Sequence, residues 1–357
     1  MEPQQNADLR GQEAAEQALL AGAVSGRLAH AWLLTGPRGV GKATLAYRFA
    51  RFLLAGEGES RGGLFGEAPA SLALDADHPV FRRVASGGHP DLRTVARAIN
   101  PDTGKLRTEI IVGDIRETIG FLHLTPAEGG WRVVIVDGAE EMNRNAANSL
   151  LKVLEEPPPR AVLLLVSHAP GRLLPTIRSR CRRLEVKPLP ATIVDALLAR
   201  RIPELSEADR AVVTGLAEGS IGRALALAEA GGVDLYREIS EMLVTLPRLD
   251  AGALHRLADK LARGAADASF RTAAELLAAW LMRMLRLTVT ANAVSGSEIL
   301  PGEAACMHRL SRAEPASRWV ELLETMQRQF ALVDVLNLDR RQIWIATVLA
   351  LQRMAAG

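Results

Sequence analysis

Three apolar runs in the first half of the chain are short and nearly continuous. They cover residues 29–36, 131–138 and 160–168. Runs of this length indicate strands, and continuous rather than alternating apolar character is typical of a parallel sheet that is covered on both faces. Helical patterns separate the runs, and one of them, NSLLKVLEEPPP, ends at prolines. The pattern predicts an α/β domain with a parallel sheet.

A different pattern begins after Lys187 and Pro188, where strand-like runs end and helical periodicity continues to the last residue. This change divides the chain into an α/β part and a helical part. We predict three domains, which are an α/β domain over residues 1–187, a small helical unit over 188–232 and an all-helical domain over 233–357.

The helical part shows its clearest periodicity over residues 269–287, where apolar residues recur at three- and four-residue spacing. A break at residues 292–302 separates this helix from a last helical pair. Apolar helix faces of this kind are typical of core packing, and taken together they are also compatible with an oligomerisation collar. Residues 57–77 are rich in Gly and Ala with little periodicity, which predicts an irregular surface insertion.

The composition excludes several classes of protein. A net charge of +2 in 357 residues is nearly balanced, which argues against a dedicated polybasic nucleic-acid binder. The two cysteines, Cys181 and Cys306, are far apart, so neither a disulfide framework nor a zinc module is expected. The polar N-terminus does not have the pattern of a signal peptide, and no run of 18 apolar residues is present. We therefore expect no membrane segment and a cytoplasmic location.

The stretch GPRGVGKATL, residues 36–45, nearly matches a phosphate-binding loop. A strand precedes it and a helix follows it, so backbone N–H groups, a lysine and a helix N-terminus can converge on phosphate oxygens. The residue after the lysine is alanine, although Ser or Thr normally supplies a hydroxyl to magnesium there, and the threonine one residue later is rotated by about 100°. The candidate nucleotide-binding residues are Gly36, Gly39, Gly41, Lys42, Ala43 and Thr44.

The second apolar run ends in Asp137, a position that fits a Walker B carboxylate, which helps to hold magnesium. Hydrolysing relatives of such proteins usually have a glutamate next, which orients the attacking water, but here the residue is Gly138. Glu140 and Glu141 follow too late to be assumed equivalents. Two catalytic elements are therefore absent together, which indicates that the chain does not hydrolyse ATP.

Basic and polar residues further along suggest other site components. Residues 173–186, LLPTIRSRCRRLEV, contain four arginines, which form either a solvated basic strip or an arginine finger that enters a neighbour's nucleotide site. Ser167, at the end of the third strand, is either a sensor of the third phosphate or a strand-end cap. Arg223, in GSIGRALAL, is a candidate to reach the phosphate loop, although this pattern alone is weak.

The order of these motifs resembles the AAA+ clamp-loader family of DNA polymerase III, across nearly the whole chain. The most specific stretches are NAANSLLKVLEEPP and LLPTIRSRC, followed by HAWLLTGPRGVGKATLAYRFARFLL. The C-terminal VLNLDRRQIW resembles the collar of the delta-prime type of subunit. The resemblance implies a P-loop AAA+ domain, a helical lid and a helical collar.

Two subunit types of this family are alternative matches for the chain. The motor type, gamma or tau, hydrolyses ATP and normally carries four zinc-binding cysteines after the first helix, whereas residues 53–77 contain no cysteine. Motors also keep the loop hydroxyl and the Asp-Glu pair. The delta-prime type, which keeps the Ser-Arg-Cys motif while its own site decays, resembles the chain better. Its members often have the zinc cysteines too, so the absence of these cysteines departs from both patterns, and we expect no zinc here.

The resemblance implies a role for each element. Arg180 would be an arginine finger that acts on ATP held by an adjacent motor subunit, while the chain itself acts as a rigid stator without ATPase activity, within the DNA polymerase III holoenzyme. Two states of its own loop are compatible with this role, one that holds ATP or ADP without hydrolysis and one that serves only the fold. The implied partners are gamma or tau and delta in a pentameric ring, the β sliding clamp and primer-template DNA. An active ATPase motor of the gamma/tau type is the alternative, and a stand-alone DNA-binding protein is a third possibility.

Overall fold

The structure is a computed structural model, and it describes residues 2–56, 69–101, 103–263, 266–289 and 298–357. The chain divides into two compact units. The first holds Met1–Ile193 and Gly219–Gly222, and the second holds Val194–Glu218 and Arg223–Gly357. The short piece Gly219–Gly222 thus belongs with the first unit, although the chain on both sides of it belongs to the second.

Among the described residues, the first unit is built around a five-stranded sheet with the order β2-β3-β4-β1-β5, in which all pairs are parallel. The strands are β1 Ala31–Thr35, β2 Leu92–Val95, β3 Arg132–Asp137, β4 Ala161–Ser167 and β5 Arg182–Glu185. The central strands are buried along almost their whole length. Thr35 lies beside Ser167, and Asp137 lies beside Val166, so the carboxyl ends of β1, β3 and β4 meet at one edge of the sheet.

Helices cover both faces of this sheet and supply its two cores. The helices that begin in the first unit are α1 Glu13–Val24, α2 Lys42–Leu54, α3 Pro79–Ala85, α4 Val112–His123, α5 Arg144–Glu155, α6 Pro175–Arg178 and α7 Ala191–Arg201. On one face, Phe49 and Phe52 of α2 pack in a core with Trp32. On the other face, Leu150 of α5 and Ile177 of α6 pack in a second core. Burial of both faces is the arrangement that a parallel sheet requires.

Local signals explain where α5 begins and ends. The side chain of Asn143 accepts a hydrogen bond of 2.9 Å from the backbone N–H of Ala146, which caps the first turn. The prolines at residues 157–159 follow the last helical residue, Glu155, and cannot continue the helix. The end of α5 is therefore set by the sequence itself, which gives Glu155 a defined place at the surface.

The second unit is helical. Its elements are α8 Glu207–Ala217, α10 Gly232–Val244, α11 Ala251–Ala262, α12 Ala266–Val289, α13 Glu303–Leu310, α14 Ala316–Leu336 and α15 Arg340–Ala356, together with most of α7 and all but the first two residues of α9 Ile221–Glu229. Within the described ranges this unit contains no strand. Trp280, Trp319 and Trp344 are fully buried in it.

The predicted fold class, an α/β domain with a parallel sheet followed by helical segments, is confirmed. The three predicted strands correspond to β1, β3 and β4. The edge strands β2 and β5 were not predicted, because they have four residues each and β5 carries charged, exposed side chains instead of an apolar run. The three predicted domain boundaries stay a prediction.

Predictions for the helical part and the insertion have mixed outcomes. The helix expected over residues 269–287 is confirmed as α12. The expected last helical pair is confirmed as α14 and α15. The helix α13, which lies between the break and this pair, was not predicted, because its eight residues are too few to show a clear period. Of the predicted insertion, residues 57–68 lie outside the described residues, and residues 69–77 contain neither helix nor strand. No helix in the described part of the chain is long and apolar enough to cross a membrane.

Candidate functional site

The phosphate loop, residues 36–42, connects the carboxyl end of β1 to α2. Gly36 has a φ of 148°, and a Cβ there would lie 2.1 Å from the carbonyl oxygen of Val186, so no side chain fits. Gly41 is the N-cap of α2, a helix of 13 residues. The loop therefore ends at a helix N-terminus, which is where backbone N–H groups bind anions.

Lys42, the candidate phosphate ligand, is buried, and its ammonium group donates hydrogen bonds to carbonyl oxygens of its own loop. Nζ lies 2.7 Å from the oxygen of Gly36 and also contacts the oxygen of Pro37. Burial lowers the pKa of Lys42 to about 8, although the negative charges of Glu140 and Asp137 act in the opposite direction. The ammonium form still predominates at neutral pH, so the loop carries a positive charge there.

Residues distant in sequence hold the loop from outside. The backbone N–H of Gly222 donates to the oxygen of Gly39 at 3.0 Å, and the hydroxyl of Ser220 donates to the oxygen of Arg38 at 2.8 Å. The buried side chain of Gln12 donates to another loop carbonyl at 3.0 Å. Sequence reasoning missed these three residues; only the two glycines of GSIGR hinted at a close backbone approach.

The start of α2 lacks one group that a magnesium site uses. Ala43 follows Lys42 and supplies no hydroxyl. Thr44 is buried and lies one residue further along, about 100° around the helix axis. The loop thus keeps the backbone and the lysine that bind phosphate, but not the Ser or Thr that holds magnesium in P-loop NTPases.

Asp137 ends β3, and burial raises the pKa of its carboxyl group while the charge of Lys42 opposes that effect. The next residue, Gly138, has a φ of 79°, in the left-handed region. A Cβ at this position would lie 2.7 Å from Oε2 of Glu141. A glutamate at position 138 would therefore need a strained backbone. Position 138 therefore lacks both the glutamate side chain that would orient water and a backbone conformation that suits such a side chain.

The two glutamates that follow have other partners. Oε1 of Glu140 accepts a hydrogen bond of 2.9 Å from the backbone N–H of His168. Glu141 forms ion pairs with Arg97 at 2.8 Å and with Arg38 at 3.4 Å. Glu140 therefore joins the end of β3 to the end of β4, and Glu141 is neutralised by arginines.

Three buried polar atoms near the ends of β3 and β4 make no hydrogen bond of good geometry with another described residue. They are Oε2 of Glu140, Oγ of Ser167 and Nδ1 of His168. The Ser167 hydroxyl is nevertheless close enough to the Glu140 carboxylate to help backbone N–H groups lower its pKa against the effect of burial. Burial, together with the positive charge of Lys42, lowers the pKa of His168 to about 4, so its imidazole is neutral at pH 7. Unpartnered buried polar atoms are costly and mark a place where a polar ligand gains hydrogen bonds. Sequence reasoning named Ser167 but missed His168, for which the sequence carries no specific signal.

Arg180 belongs to a different surface of the same unit. Its Nη2 lies 2.7 Å from a carboxylate oxygen of Glu155, at the end of α5, and its Nη1 donates to the backbone oxygen of Thr176 at 3.1 Å. Its neighbour Cys181 is buried in the core beneath α5 and α6, and burial raises the pKa of that thiol to about 12. Among the described residues, no contact joins Arg180 to the phosphate loop.

The other arginines of residues 173–186 do not form one cluster with Arg180. The guanidinium of Arg182 lies over the ring of Trp32, 4.8 Å from its centroid. Nε of Arg183 donates to Oγ1 of Thr35 at 3.3 Å. Arg178 is exposed. The predicted basic strip is therefore divided between the edge strand β5 and the turn that carries Arg180.

Arg223 follows directly after Gly219–Gly222 but belongs to the second unit. There its Nη1 lies 3.8 Å from Oε2 of Glu218. Its role toward the phosphate loop stays a prediction. The phosphate loop, Asp137 and Ser167 do come together, at the carboxyl ends of the adjacent strands β1, β4 and β3.

Comparison with known proteins agrees with the motif order. Residues 11–190, about half of the chain, match the family described as DNA polymerase III, delta subunit. DNA polymerase III subunit delta′ of Pseudomonas aeruginosa is 41% identical over 177 residues, which are 49% of this chain and 48% of that protein. Subunit delta′ of Escherichia coli is 34% identical over 209 residues, 58% of this chain and 57% of that protein.

A tau subunit also matches. DNA polymerase III subunit tau of Escherichia coli is 32% identical over 253 residues, which are 68% of this chain and 36% of that protein. The chain thus spans about half the length of the delta′ relatives and about a third of tau. Among solved structures, a gamma subunit-related protein from Thermotoga maritima aligns over 97% of this chain and 99% of its own, with 19% identity and a TM-score of 0.40.

Proposed function

The chain belongs to the DNA polymerase III delta-subunit family, and from this membership we propose that it is a clamp-loader subunit of the delta-prime type. In this role it does not hydrolyse ATP itself. It is a rigid stator that supplies Arg180 to the nucleotide site of a neighbouring ATPase subunit while the β sliding clamp is loaded onto primed DNA.

The observation that carries the proposal is the backbone at Gly138. Its left-handed conformation and the carboxylate of Glu141, 2.7 Å from the position of a Cβ, disfavour a catalytic glutamate there. Ala43 removes a magnesium ligand in the same site. Because two parts of the hydrolytic machinery are absent while the sheet and loop that support them remain, the chain's own contribution to ATP hydrolysis is more readily explained by a group at its surface.

The phosphate loop fits the phosphates of ATP or ADP but not a full magnesium site. Backbone N–H groups of residues 36–42, the N-terminus of α2 and the Lys42 ammonium group would hold the phosphates. Oγ of Ser167 and Nδ1 of His168 lie at the end of β4, the strand next to β1, and offer hydrogen bonds there. We therefore propose that the loop binds nucleotide without turnover.

Arg180 has the properties that a trans-acting arginine requires. A guanidinium ion presents several N–H donors in a fixed plane and stays charged at any physiological pH, so it suits the charge that develops on a transferring phosphoryl group. Its side chain is 37% exposed, whereas the adjacent Cys181 is buried in the core. A rigid parent domain matters because a displacement of about 1 Å can cost on the order of 100-fold in rate.

The proposed partners are gamma or tau and delta subunits in a pentameric ring, with the β clamp and primer-template DNA reached through the complex. Support for a subunit contact comes from the end of α14, where large apolar side chains are exposed. Val335 is 72% exposed and Leu336 is 58% exposed, and Leu332 and Leu338 lie close to them in sequence and are also exposed. Exposed apolar patches of this kind are typical of protein interfaces.

An active motor of the gamma/tau type is the second candidate. Its support is the match to tau, which covers 68% of this chain, whereas the match to the Pseudomonas delta′ covers 49%. Ala43 and Gly138 argue against it. ATP turnover by the purified chain alone, abolished by Lys42→Ala, would favour the motor and contradict the proposed function.

The direct test uses Arg180→Ala in a loader reconstituted from this chain and its motor and delta subunits. We expect the ring to assemble, and hydrolysis at the adjacent ATPase site to fall by on the order of 10³-fold, because an arginine finger contributes that much. Both DNA-stimulated ATPase and clamp loading should fall. Arg178→Ala, which removes an exposed arginine two residues away, is the matched control and should behave as wild type. Unchanged ATPase and loading with Arg180→Ala would refute the finger.

A further inference from the structure

Arg180 is held by two contacts with its own subunit. A carboxylate oxygen of Glu155, the last residue of α5, lies 2.7 Å from Nη2, and the backbone oxygen of Thr176 in α6 accepts from Nη1 at 3.1 Å. Contacts to two different nitrogens restrict the rotation of the guanidinium plane. The side chain therefore has a defined orientation before any partner arrives.

The two contacts leave part of the guanidinium available. Arginine has five N–H donors, and the bonds to Glu155 and Thr176 use two of them. Phosphoryl oxygens of a neighbouring site can accept from the remaining N–H groups while Glu155 keeps its contact. A lysine at this position would lose the fixed plane, since its ammonium group is a point charge.

The helix ends that carry this pair are anchored in the core. Ile177 and Cys181 on the Arg180 side, and Val153 and Leu154 on the Glu155 side, are buried in one cluster. The pair itself lies at the surface, with side-chain exposures of 37% for Arg180 and 50% for Glu155. An exposed ion pair contributes little to stability. The pair is therefore better explained as a means of orienting the Arg180 guanidinium than as a contribution to folding stability.

We propose that Glu155 is a positioning residue, which presents the Arg180 guanidinium in one orientation to the nucleotide site of the neighbouring subunit. This inference rests on the proposed trans role of Arg180. Glu155 itself touches no substrate. It acts by restricting the conformations that the Arg180 side chain samples before it enters the neighbouring site.

The test uses the full reconstituted loader with Glu155→Ala. We expect kcat for DNA-stimulated hydrolysis at the adjacent site to fall by about three- to tenfold, part of the penalty for a misplaced catalytic group. KM for ATP should stay unchanged, because the nucleotide is bound by the motor subunit. Glu155→Gln keeps an acceptor for the guanidinium and should restore much of the rate. Glu156→Ala, at the exposed neighbouring position, should behave as wild type.

A double-mutant cycle separates this proposal from the one on which it rests. In an Arg180→Ala background, Glu155→Ala should have no further effect, since it acts only through Arg180. If Arg180→Ala alone were silent, the finger itself would be refuted. If Arg180→Ala lowered the rate but Glu155→Ala did not, or lowered it equally in both backgrounds, the positioning role would be overturned and the finger would stand.

Discussion

Two buried polar clusters, one in each unit, both surround a glutamate but differ in which of their atoms lack a hydrogen-bond partner. In the second unit, the carboxylate of Glu303 accepts from the hydroxyl groups of Tyr236 and Ser240 on one oxygen, and from Arg283 at 2.7 Å on the other. In the first unit, the cluster at the strand ends leaves three polar atoms without a hydrogen bond of good geometry among the described residues. In the Glu303 cluster the atoms without a partner in the described part of the chain are Nε and Nη1 of Arg283, whereas both oxygens of Glu303 have partners. In the first unit an oxygen of Glu140 itself lacks a hydrogen bond of good geometry with another described residue.

The reason lies in how buried polar groups contribute free energy. A buried charge is stable only when its partners replace the water that it has lost, and Glu303 has partners on both oxygens from α10, α12 and the backbone before α13. At the strand ends, an unpartnered buried atom such as Nδ1 of His168 destabilises the fold. A ligand that supplies the missing hydrogen bond recovers that free energy. At Glu303 no such bond is missing, because both carboxylate oxygens already have partners.

Removal of the Glu303 carboxylate is expected to have the largest effect on the free energy of unfolding. Glu303→Ala leaves the Arg283 guanidinium buried without its counter-ion, so we expect the free energy of unfolding to fall by about 3–5 kcal/mol. Urea-induced unfolding followed by tryptophan fluorescence would measure the loss, and hydrogen exchange would localise it to α10, α12 and α13.

Glu238→Ala is the matched control, since it also removes a glutamate from an ion pair in the same unit. The pair between Glu238 and Lys260, at 2.6 Å, is exposed, so its loss should change stability by less than about 1 kcal/mol. Equal effects of the two substitutions would mean that burial does not make the Glu303 ion pair more important for stability than the exposed Glu238 pair.

Restoration of a glutamate after Asp137 tests the other cluster. We expect Gly138→Glu to lower stability by about 1–3 kcal/mol, because a left-handed backbone conformation is costly for a residue with a Cβ. It should not create ATP hydrolysis, since Ala43 still lacks the magnesium hydroxyl. Gly138→Asn should be less destabilising, because Asn tolerates this region.

The decisive variant combines Gly138→Glu with Ala43→Ser and is followed by ATP turnover of the purified chain. Hydrolysis at the rate of a motor subunit would show that only side chains had been lost. No turnover would mean that the backbone at Gly138 also opposes catalysis, as its conformation indicates.

The parts of the fold that the sequence predicts are those with local signals. The strands β1, β3 and β4 are continuous apolar runs, and the phosphate loop has its glycines and Lys42 at fixed spacing, so neither depends on knowledge of distant residues. The edge strand β5 gives no such signal, because it begins with two arginines, of which Arg182 lies over the ring of Trp32 and Arg183 donates to the hydroxyl of Thr35.

Features that depend on tertiary structure could not be predicted. The pairing of Glu155 with Arg180 brings together two motifs that the sequence presents separately. The contacts of Ser220 and Gly222 with the phosphate loop join residues more than 180 positions apart. The left-handed backbone at Gly138 is likewise invisible in the sequence, which shows only that the glutamate is absent.

The smallest expected effect concerns the charge of Lys42, whose pKa burial lowers from 10.5 to about 8. If the proposed nucleotide site uses the ammonium form, affinity for ATP or ADP should weaken about tenfold between pH 7 and pH 9, as Lys42 loses its proton. Stability should change in the opposite sense. Between about pH 8 and pH 10.5 the unfolded chain binds more protons at Lys42 than the folded chain, so this residue's contribution to stability rises with pH.

Titration of a fluorescent ADP analogue at constant ionic strength from pH 7 to pH 9 would measure the affinity. Lys42→Arg, whose guanidinium stays charged across this range, is the matched control and should give a flat profile if it binds at all. A flat profile for the wild type would mean that Lys42 keeps its proton or does not contact phosphate. Weakening centred near pH 8 in the wild type alone would show that the loop still binds phosphate through Lys42, whose ammonium group otherwise donates to carbonyl oxygens of the loop. That result would sharpen the contrast with Glu303, whose two oxygens already have partners within the second unit.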